Sequence, residues 1–246
     1  MDTLDSAIAA ERGGADRLEL CASLCDAGTT PSAGMIAAVK AHVTIPVFAI
    51  IRPRGGGFVY SSTEVDVMRR DIEAARRAGT DGLVFGFLTE DGRIDERRTR
   101  LLVADASDLP VTFHRAFDMT PDLSEALETV IACGVRRVLT SGGAATAANG
   151  AETIARLVAQ ADGRMVVMAG GGVREESVVD VVRRTGVEEI HVRPTRLANA
   201  RGAGARAAAS PTVRLRKPLP EDEGAWEEID EARIRTIVGL VNGLRQ

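Results

Sequence analysis

One motif recurs four times along this chain. A helix-like stretch ends at a glycine, two polar or small residues follow, and a short apolar run comes next. The copies read GGADRLEL around Gly14, AGTDGLVF at Gly79, CGVRRVLT at Gly134 and TGVEEIHV at Gly186. A glycine directly after a helix takes the left-handed conformation that closes the last turn. Because a continuous apolar run is typical of a strand buried on both faces, the motif predicts helix–strand repeats around a parallel sheet.

The spacing of these units predicts an α/β fold of the TIM-type (β/α)8 barrel class. The predicted strands are residues 17–21, 46–52, 82–88, 110–115, 136–141, 165–169 and 188–193. The predicted helices are residues 2–12, 32–42, 63–78, 95–105, 121–133, 151–161, 174–185 and 230–245. A complete barrel has equal numbers of both, so seven strands beside eight helices predict an incomplete barrel whose first strand is absent. A doubly wound open sheet is the alternative, which fits the strand count but not eight outer helices.

One segment interrupts the repeat. Residues 194–229 lack periodicity and are expected to form an irregular excursion before the C-terminal helix, within a single domain over residues 1–246. Basic residues without acids run from Arg193 to Lys217, and an acidic stretch runs from Glu221 to Glu231. Long excursions of this kind are lids, interface arms or disordered segments. A surface arm whose two halves attract each other and a contact between subunits both remain open.

Composition excludes several classes of function. The net charge is −4 and aromatic residues make up 3% of the chain, so neither bulk attraction to nucleic acid nor stacking of bases is expected. No apolar run approaches the roughly 20 residues of a membrane span, and the N-terminal residues lack the apolar region of a signal peptide. Three cysteines, an odd number, argue against a disulfide framework and favour a cytoplasmic location.

The first predicted strand places a carboxylate and a thiol in the barrel interior. Side chains alternate between the two faces of a strand, so Leu18 and Leu20 share the helix-facing side while Glu19 and Cys21 share the interior. Cys21 lies nearer the carboxyl end, where barrel proteins carry their chemistry. A buried carboxylate is costly unless it is paired. Glu19 is therefore either a catalytic residue or part of a structural ion pair.

Two arginines follow the second predicted strand. Arg52 and Arg54 have the same parity in IIRPRGGGF, and the glycines at 55–57 allow a close approach of the backbone to a ligand. The guanidinium fork matches carboxylate or phosphate geometry. We expect the pair to bind a small anion, and the alternative is an ion pair between an arginine and Glu19.

The fourth predicted strand ends in a histidine and an arginine. His114 and Arg115 in VTFHRAFD have opposite parity, and the pattern favours an inward His114. Asp118, in the following loop, is positioned to orient the imidazole, so His114 and Asp118 are candidate catalytic residues beside Glu19. A structural histidine is the alternative. Arg115 is a further candidate for ligand binding at the same strand end.

Small residues follow the next two strands and predict an anion cradle. Backbone N–H groups in such loops, ahead of helix N-termini, bind anions, and late loops often hold phosphate in barrels. Tight strand-to-helix turns are the alternative. His191, on the last strand, also faces the carboxyl end, without the sequence context of a metal motif. The candidates for ligand binding in this region are Thr140, Ser141, Gly142, Gly170, Gly171, Gly172 and His191.

Two cysteines are candidate metal ligands. Cys21 and Cys25 are four residues apart, close enough for two thiolates to meet in a loop, and soft thiolates favour Cu(I) or Zn. Cysteines that act as small inert hydrophobes are the alternative. Cys133 precedes a helix-ending glycine, so we expect it at the opposite end of the barrel.

Several of these strings together resemble the CutC family of copper homeostasis proteins. The resemblance covers most of residues 2–192, through GADRLELC (14–21), TPS (30–32), VTIPVFAIIRPRGG (43–56), VTFHRAFDM (111–119), RVLTSG (137–142) and MAGGGVR (168–174). It implies a TIM-type barrel, a cytosolic location, a homo-oligomer and a role in copper tolerance with Cu(I) bound through cysteine. Family members usually open with one more strand, LEICC or LEVCV, and of their copper-associated cysteines only the one matching Cys21 is present here. Cys25 lies where the family does not usually carry cysteine.

The sequence leaves three functions open. The resemblance implies a cytosolic copper homeostasis protein that binds Cu(I) at Cys21, with Cys25 as a second candidate ligand. The alternative is a barrel enzyme of lyase or isomerase type, acting on a small phosphorylated or carboxylated metabolite held by Arg52, Arg54 and the glycine-rich loops. The positive charge expected at the mouth favours an anion over a copper ion. A third possibility is an oligomeric scaffold with segment 194–229 as its interface.

Overall fold

The computed structural model describes residues 1–199 and 225–244, and its centre is a curled sheet of seven parallel strands. Each strand pairs with the next one along the chain, so the order in the sheet is the order in the sequence. The predicted α/β barrel fold with seven strands is confirmed, although six of the strands end before the predicted residue and β6 ends one residue after it. The strands are β1 Leu18–Leu20, β2 Val47–Ile50, β3 Gly82–Phe85, β4 Val111–Phe113, β5 Arg137–Thr140, β6 Val166–Gly170 and β7 Glu189–His191.

Helices connect successive strands and cover the outer face of the sheet. The four glycines of the recurrent motif all have positive φ, between 70° and 95°, as the helix-ending role requires. Ser61 and Glu64 form a capping box on the third helix. Within residues 1–199 and 225–244, no helix combines the length and apolar character needed to cross a membrane. The helices are α1 Leu4–Arg12, α2 Ala33–His42, α3 Ser62–Arg77, α4 Glu96–Ala106, α5 Leu123–Ala132, α6 Ala151–Ala161, α7 Val178–Thr185 and α8 Glu231–Asn242.

The strand register sets which side chains share a layer of the interior. Glu19 of β1 is level with Phe48 of β2, and Phe48 is level with Gly82 of β3. Leu18 and Leu20, on the other face of β1, belong to the fully buried core between sheet and helices. The alternation on β1 therefore separates an apolar outer core from a polar interior.

The sheet is open between its first and last strands. In the described part of the chain, β1 and β7 are the two ends of the strand order and are not paired with each other. Met1 lies along the free edge of β1: its amino group donates to the carbonyl of Glu19 at 3.0 Å, and the amide of Cys21 donates to its carbonyl at 2.9 Å. Helices α1 and α8 pack against each other on the outside of this opening.

The expectation of an irregular segment over residues 194–229 is wrong at both ends. Strands β8, Thr195–Asn199, and β9, Ala225–Ile229, pair in antiparallel fashion. Opposite charges reinforce the pairing, since Arg193 contacts Glu227 at 3.1 Å and Arg196 lies 3.7 Å from Glu228. The sequence left open that the basic and acidic halves of this segment attract each other. In the structure, this attraction is present where β8 pairs with β9. Residues 200–224 lie outside the described residues.

Replacement of Gly82 by alanine is expected to destabilise the fold. A Cβ at this position would lie 2.5 Å from Cζ of Phe48, and Phe48 is itself enclosed by the guanidinium groups of Arg17 and Arg137. Overpacking of this kind costs about 1–3 kcal/mol of unfolding free energy, measurable by urea denaturation. Gly239→Ala is the matched control, because nothing lies within 4 Å of that position and alanine in an exposed helix gains up to about 1 kcal/mol. Equal effects of the two substitutions would contradict the packing argument.

Candidate functional site

A cavity of about 630 Å³ lies inside the curled sheet and reaches the carboxyl ends of the strands. Its polar wall contains Glu19, Cys21, Arg52, His114 and His191. The inward orientation predicted for Glu19, Cys21 and His114 is therefore the one observed, and Arg52 and His191 line the same cavity. Towards the opening between β1 and β7 the cavity becomes apolar, and there it is lined by Ala10, Ile190, Ile229, Ile234, Ile237, Val238 and Val241.

The floor of the cavity is an ion cluster that the sequence pattern did not indicate. Glu189 of β7 accepts hydrogen bonds from Arg17 at 2.6 Å and from Arg137 at 2.5 and 2.6 Å. Both guanidinium groups stack on the ring of Phe48, 5.2 and 5.7 Å from its centroid. Burial raises the pKa of Glu189, but the two arginines lower it by more, so this carboxylate stays ionised. The alternation within RRVLTS is the signal that could have placed Arg137 in the interior.

Above the floor, Glu19 faces His191 across the open side of the barrel. Oε2 of Glu19 lies 3.3 Å from Nδ1 of His191. Burial raises the pKa of Glu19, but His191, Arg17 and the amino group of Met1 together hold it below its usual value. The structural pair that was the alternative for Glu19 therefore exists, with a histidine in place of an arginine. Oε1 of Glu19 is buried and has no hydrogen-bond partner in the part of the chain that the structure describes.

Arg52 is a buried cation held by backbone carbonyls. Nη1 donates to the carbonyls of Asp26 at 2.6 Å and Gly28 at 2.9 Å, and Nη2 donates to that of Gly56 at 2.6 Å. The guanidinium group lies over the ring of Phe58, 5.0 Å from its centroid. Nε is buried without a hydrogen-bond partner in residues 1–199 and 225–244. The positive charge is thus fixed in place by neutral groups.

His114 is buried as a neutral imidazole with a defined tautomer. Its Nδ1 accepts a hydrogen bond from the amide of Ala116 at 3.2 Å, so the ring proton is on Nε2. Burial, and then the nearby charge of Arg52, lower the pKa of His114 to about 4. The ring packs against Phe58, with 4.8 Å between centroids. Its place requires a glycine at position 86, since a Cβ there would lie 2.7 Å from the imidazole.

Asp118 does not orient His114, and that expectation is wrong. Its carboxylate instead accepts from the hydroxyl of Thr140, from Ser141 through both its amide and its hydroxyl at 3.0 Å, and from the amide of Gly143 at 3.1 Å. Arg115 completes the arrangement with an ion pair at 2.8 Å. Thr140 and Ser141, two of the residues predicted to cradle a ligand anion, therefore bind the carboxylate of Asp118.

The glycines of the late loops serve close packing. A Cβ on Gly142 would lie 2.5 Å from the carbonyl oxygen of Gly150, and a Cβ on Gly170 would lie 2.5 Å from Leu139. Gly171 and Gly172 have positive φ in the turn after β6. Such contacts are typical of tight strand-to-helix turns. This was the alternative interpretation of these loops from the sequence.

Arg54 does not bind an anion together with Arg52. The guanidinium group of Arg54 pairs with Glu64, donates to the carbonyls of Gly57 and Val59 at 3.0 Å, and stacks on Tyr60. The glycine-rich loop turns the chain after Arg52, so the strand parity that the prediction extended to residue 54 no longer applies. Arg54 is not among the residues that line the cavity.

The two candidate metal ligands differ in environment. Cys21 is buried in the cavity wall, its Sγ lies 3.4 Å from the carbonyl oxygen of Met1, and burial raises the pKa of its thiol. Cys25 is exposed and contacts Ser23 and Asp26 at 3.5 and 3.8 Å. Across the residues described, no group of three or more His, Cys, Asp or Glu side chains is arranged to hold a metal ion.

The fold and the cavity define an α/β barrel-type protein with a polar cavity that reaches the carboxyl ends of its strands, where barrel proteins carry their sites. The sequence profile of the CutC family matches residues 1–195. A copper homeostasis protein cutC homolog of Homo sapiens is 45% identical over 99% of this chain and 88% of the relative, and a family protein CutC of Xylella fastidiosa strain Temecula1 is 50% identical over 96% and 85%. The crystal structure of a CutC protein from Streptococcus agalactiae superposes with a TM-score of 0.69 at 36% identity, over 72% of this chain and 87% of that one. This chain belongs to the CutC family, which confirms the resemblance.

The depressed pKa of His114 is expected to make stability fall in acid. Above pH 6.5 the imidazole is neutral in the folded and the unfolded chain; below it, only the unfolded chain takes up the proton until about pH 4. The free energy of unfolding therefore decreases as the pH falls through this window, by about 3 kcal/mol from this residue.

The contribution of His114 is measured by urea denaturation across this pH range. His114→Gln keeps a donor but cannot titrate, so its stability is expected to fall less steeply with acid than that of the parent protein. Parallel pH profiles of the two proteins would show that His114 does not carry this dependence.

Proposed function

We propose that this chain acts in cytoplasmic copper homeostasis and that Cu(I) is its cargo. Membership in the CutC family, together with the copper homeostasis name of the human relative, is the observation that carries the proposal. The three free cysteines support a reducing compartment. The copper ion is transferred cargo here, held reversibly and not as a structural cofactor.

Cys21 is the residue that we assign to the copper ion. Cu(I) prefers soft thiolate and thioether ligands, and Cys21 is a thiol in the wall of the cavity beside Met1. The remaining polar side chains around it are harder nitrogen and oxygen donors. The donor set therefore fits Cu(I) at one thiolate and does not form a closed site of several strong ligands.

The enzyme alternative has weaker support than the copper role. Its anion clamp required Arg54, which binds Glu64 outside the cavity. Its loop cradle required donors that Asp118 uses. The polar interior is better interpreted as a binding site.

A homo-oligomer also belongs to this proposal. The ribbon of β8 and β9 presents Leu197, which is 77% exposed, and Trp226, which is 38% exposed. We expect light scattering after size-exclusion chromatography to give a mass of more than one chain, and a monomer mass at all concentrations would contradict it.

Substitution of Cys21 tests the copper site. The reduced protein is titrated with Cu(I) in competition with a chromophoric chelator, and Cys21→Ser is expected to lose the tightest equivalent. Because the thiol must release its proton, the apparent affinity of the parent protein rises by up to about tenfold per pH unit below the thiol pKa.

Cys25→Ser is the matched control for this titration. The exposed thiol of Cys25 lies outside the cavity lining, so its loss is expected to leave the stoichiometry and the pH dependence unchanged. The same stoichiometry in the parent protein and in Cys21→Ser would remove Cys21 from the site.

A further inference from the structure

Three buried side chains around the cavity each retain one polar atom without a hydrogen bond. The atoms are Nε of Arg52, Nε2 of His114 and Oε1 of Glu19, and in the described residues none of them has a partner. Arg17, which also lines the cavity but is only half-buried, has an Nε without a partner in the same residues. Arg52 is 3% exposed, and His114 and Glu19 are 9% exposed. An unsatisfied buried polar group costs about 1–3 kcal/mol, and more when it is charged. Arg52, His114 and Glu19 all line the same cavity.

The chemistry of each atom defines what the molecule must offer. Arg52 Nε is a cationic donor. His114 Nε2 is a neutral donor, because the amide of Ala116 occupies Nδ1 and fixes the tautomer. Glu19 Oε1 is an acceptor, since the other carboxyl oxygen, Oε2, is the one that faces Nδ1 of His191 at 3.3 Å. The ligand therefore needs an acceptor group for two donors and a separate donor for one carboxylate oxygen.

We infer that the barrel interior binds a small hydroxycarboxylate. Its carboxylate accepts hydrogen bonds from Arg52 Nε and His114 Nε2, and its hydroxyl donates to Glu19 Oε1. Phe58 packs against both the guanidinium group and the imidazole, and it forms an apolar wall for the carbon skeleton. The inference concerns binding and goes beyond the copper role, which rests on Cys21.

The charge balance of the interior favours this ligand over related ones. Arg17, Arg52, Arg137 and the amino group of Met1 outnumber the carboxylates of Glu19 and Glu189, so the net charge of this group is positive. An anion reduces that excess, whereas a zwitterionic amino acid does not. A phosphate dianion brings a second negative charge towards Glu19.

Matched pairs of acids test the role of the hydroxyl. The full-length protein, freed of metal by a chelator, is titrated calorimetrically with glycolate, the two lactate enantiomers and 2-hydroxyisovalerate. Their deoxy counterparts acetate, propionate and isovalerate are titrated in parallel, with L-alanine and inorganic phosphate. We expect at least one hydroxy acid to bind about tenfold or more tightly than its counterpart, since one hydrogen bond to a charged group distinguishes them.

Variants locate the site in the cavity. Glu19→Gln is expected to reduce the preference for the hydroxy acid, and His114→Phe to weaken both acids of a pair by about tenfold. His114→Gln, which retains a donor, is expected to recover most of the affinity. Arg54→Gln is the matched control, because it removes a neighbouring arginine outside the cavity, and thermal melts confirm that each variant is folded.

Several results would overturn the inference. These are equal binding within every pair, tightest binding of phosphate or L-alanine, the absence of binding by all hydroxy acids in the millimolar range, and unchanged preference in folded Glu19→Gln. Because the protein is metal-free, none of them bears on copper binding at Cys21. Loss of copper binding in Cys21→Ser with hydroxy acid binding retained would likewise separate the two sites.

Discussion

The open side of the sheet is bridged by side chains instead of backbone hydrogen bonds. Arg17 before β1 binds Glu189 of β7, and Glu19 of β1 faces His191 of β7 one layer higher. Among the described residues these two pairs connect strands that are not partners in the sheet. A barrel interior is usually filled by branched apolar residues. Here an ion pair and a carboxylate–imidazole contact across the opening replace apolar residues and make the interior polar, and the ligand chemistry of the cavity follows from this.

Arg52 also joins separate parts of the chain, at the carboxyl ends of the strands. Its three hydrogen bonds join the loop after β1, through Asp26 and Gly28, to the loop after β2, through Gly56. Burial of a cation is costly unless its donors are satisfied, and carbonyl oxygens accept from three of the five N–H groups of Arg52 without cancelling the charge. The same arrangement that ties two loops together therefore also leaves a net positive charge aimed at the cavity.

The sequence was sufficient to predict which way a side chain points wherever the two-residue alternation of a strand determines it. Alternation along β1 placed Glu19 and Cys21 inside and the leucines outside, and parallel pairing then brought Arg52, His114 and His191 to the same end. The sequence was insufficient for long side chains in loops. Strand parity does not determine the partners of Arg54 and Asp118, because both residues lie beyond the end of a strand. Asp118 illustrates the difficulty: a loop of small residues that can cradle a phosphate can equally cradle a carboxylate of the same chain. The floor was missed because Arg17 and Arg137 lie at or just before strand starts, away from the end where function was sought.

A positively charged interior and a copper role are compatible on electrostatic grounds. Cu(I) bound by Cys21 replaces the thiol proton, because only the thiolate is a ligand. One positive charge leaves as one arrives, so the net charge of the interior is the same before and after copper binding. An anion changes that balance, whereas the copper ion does not. The interior charge therefore selects the small-molecule ligand, and the copper ion is selected by the softness of a single sulfur atom. The two kinds of recognition use different atoms of one cavity, so neither requires the other to be absent.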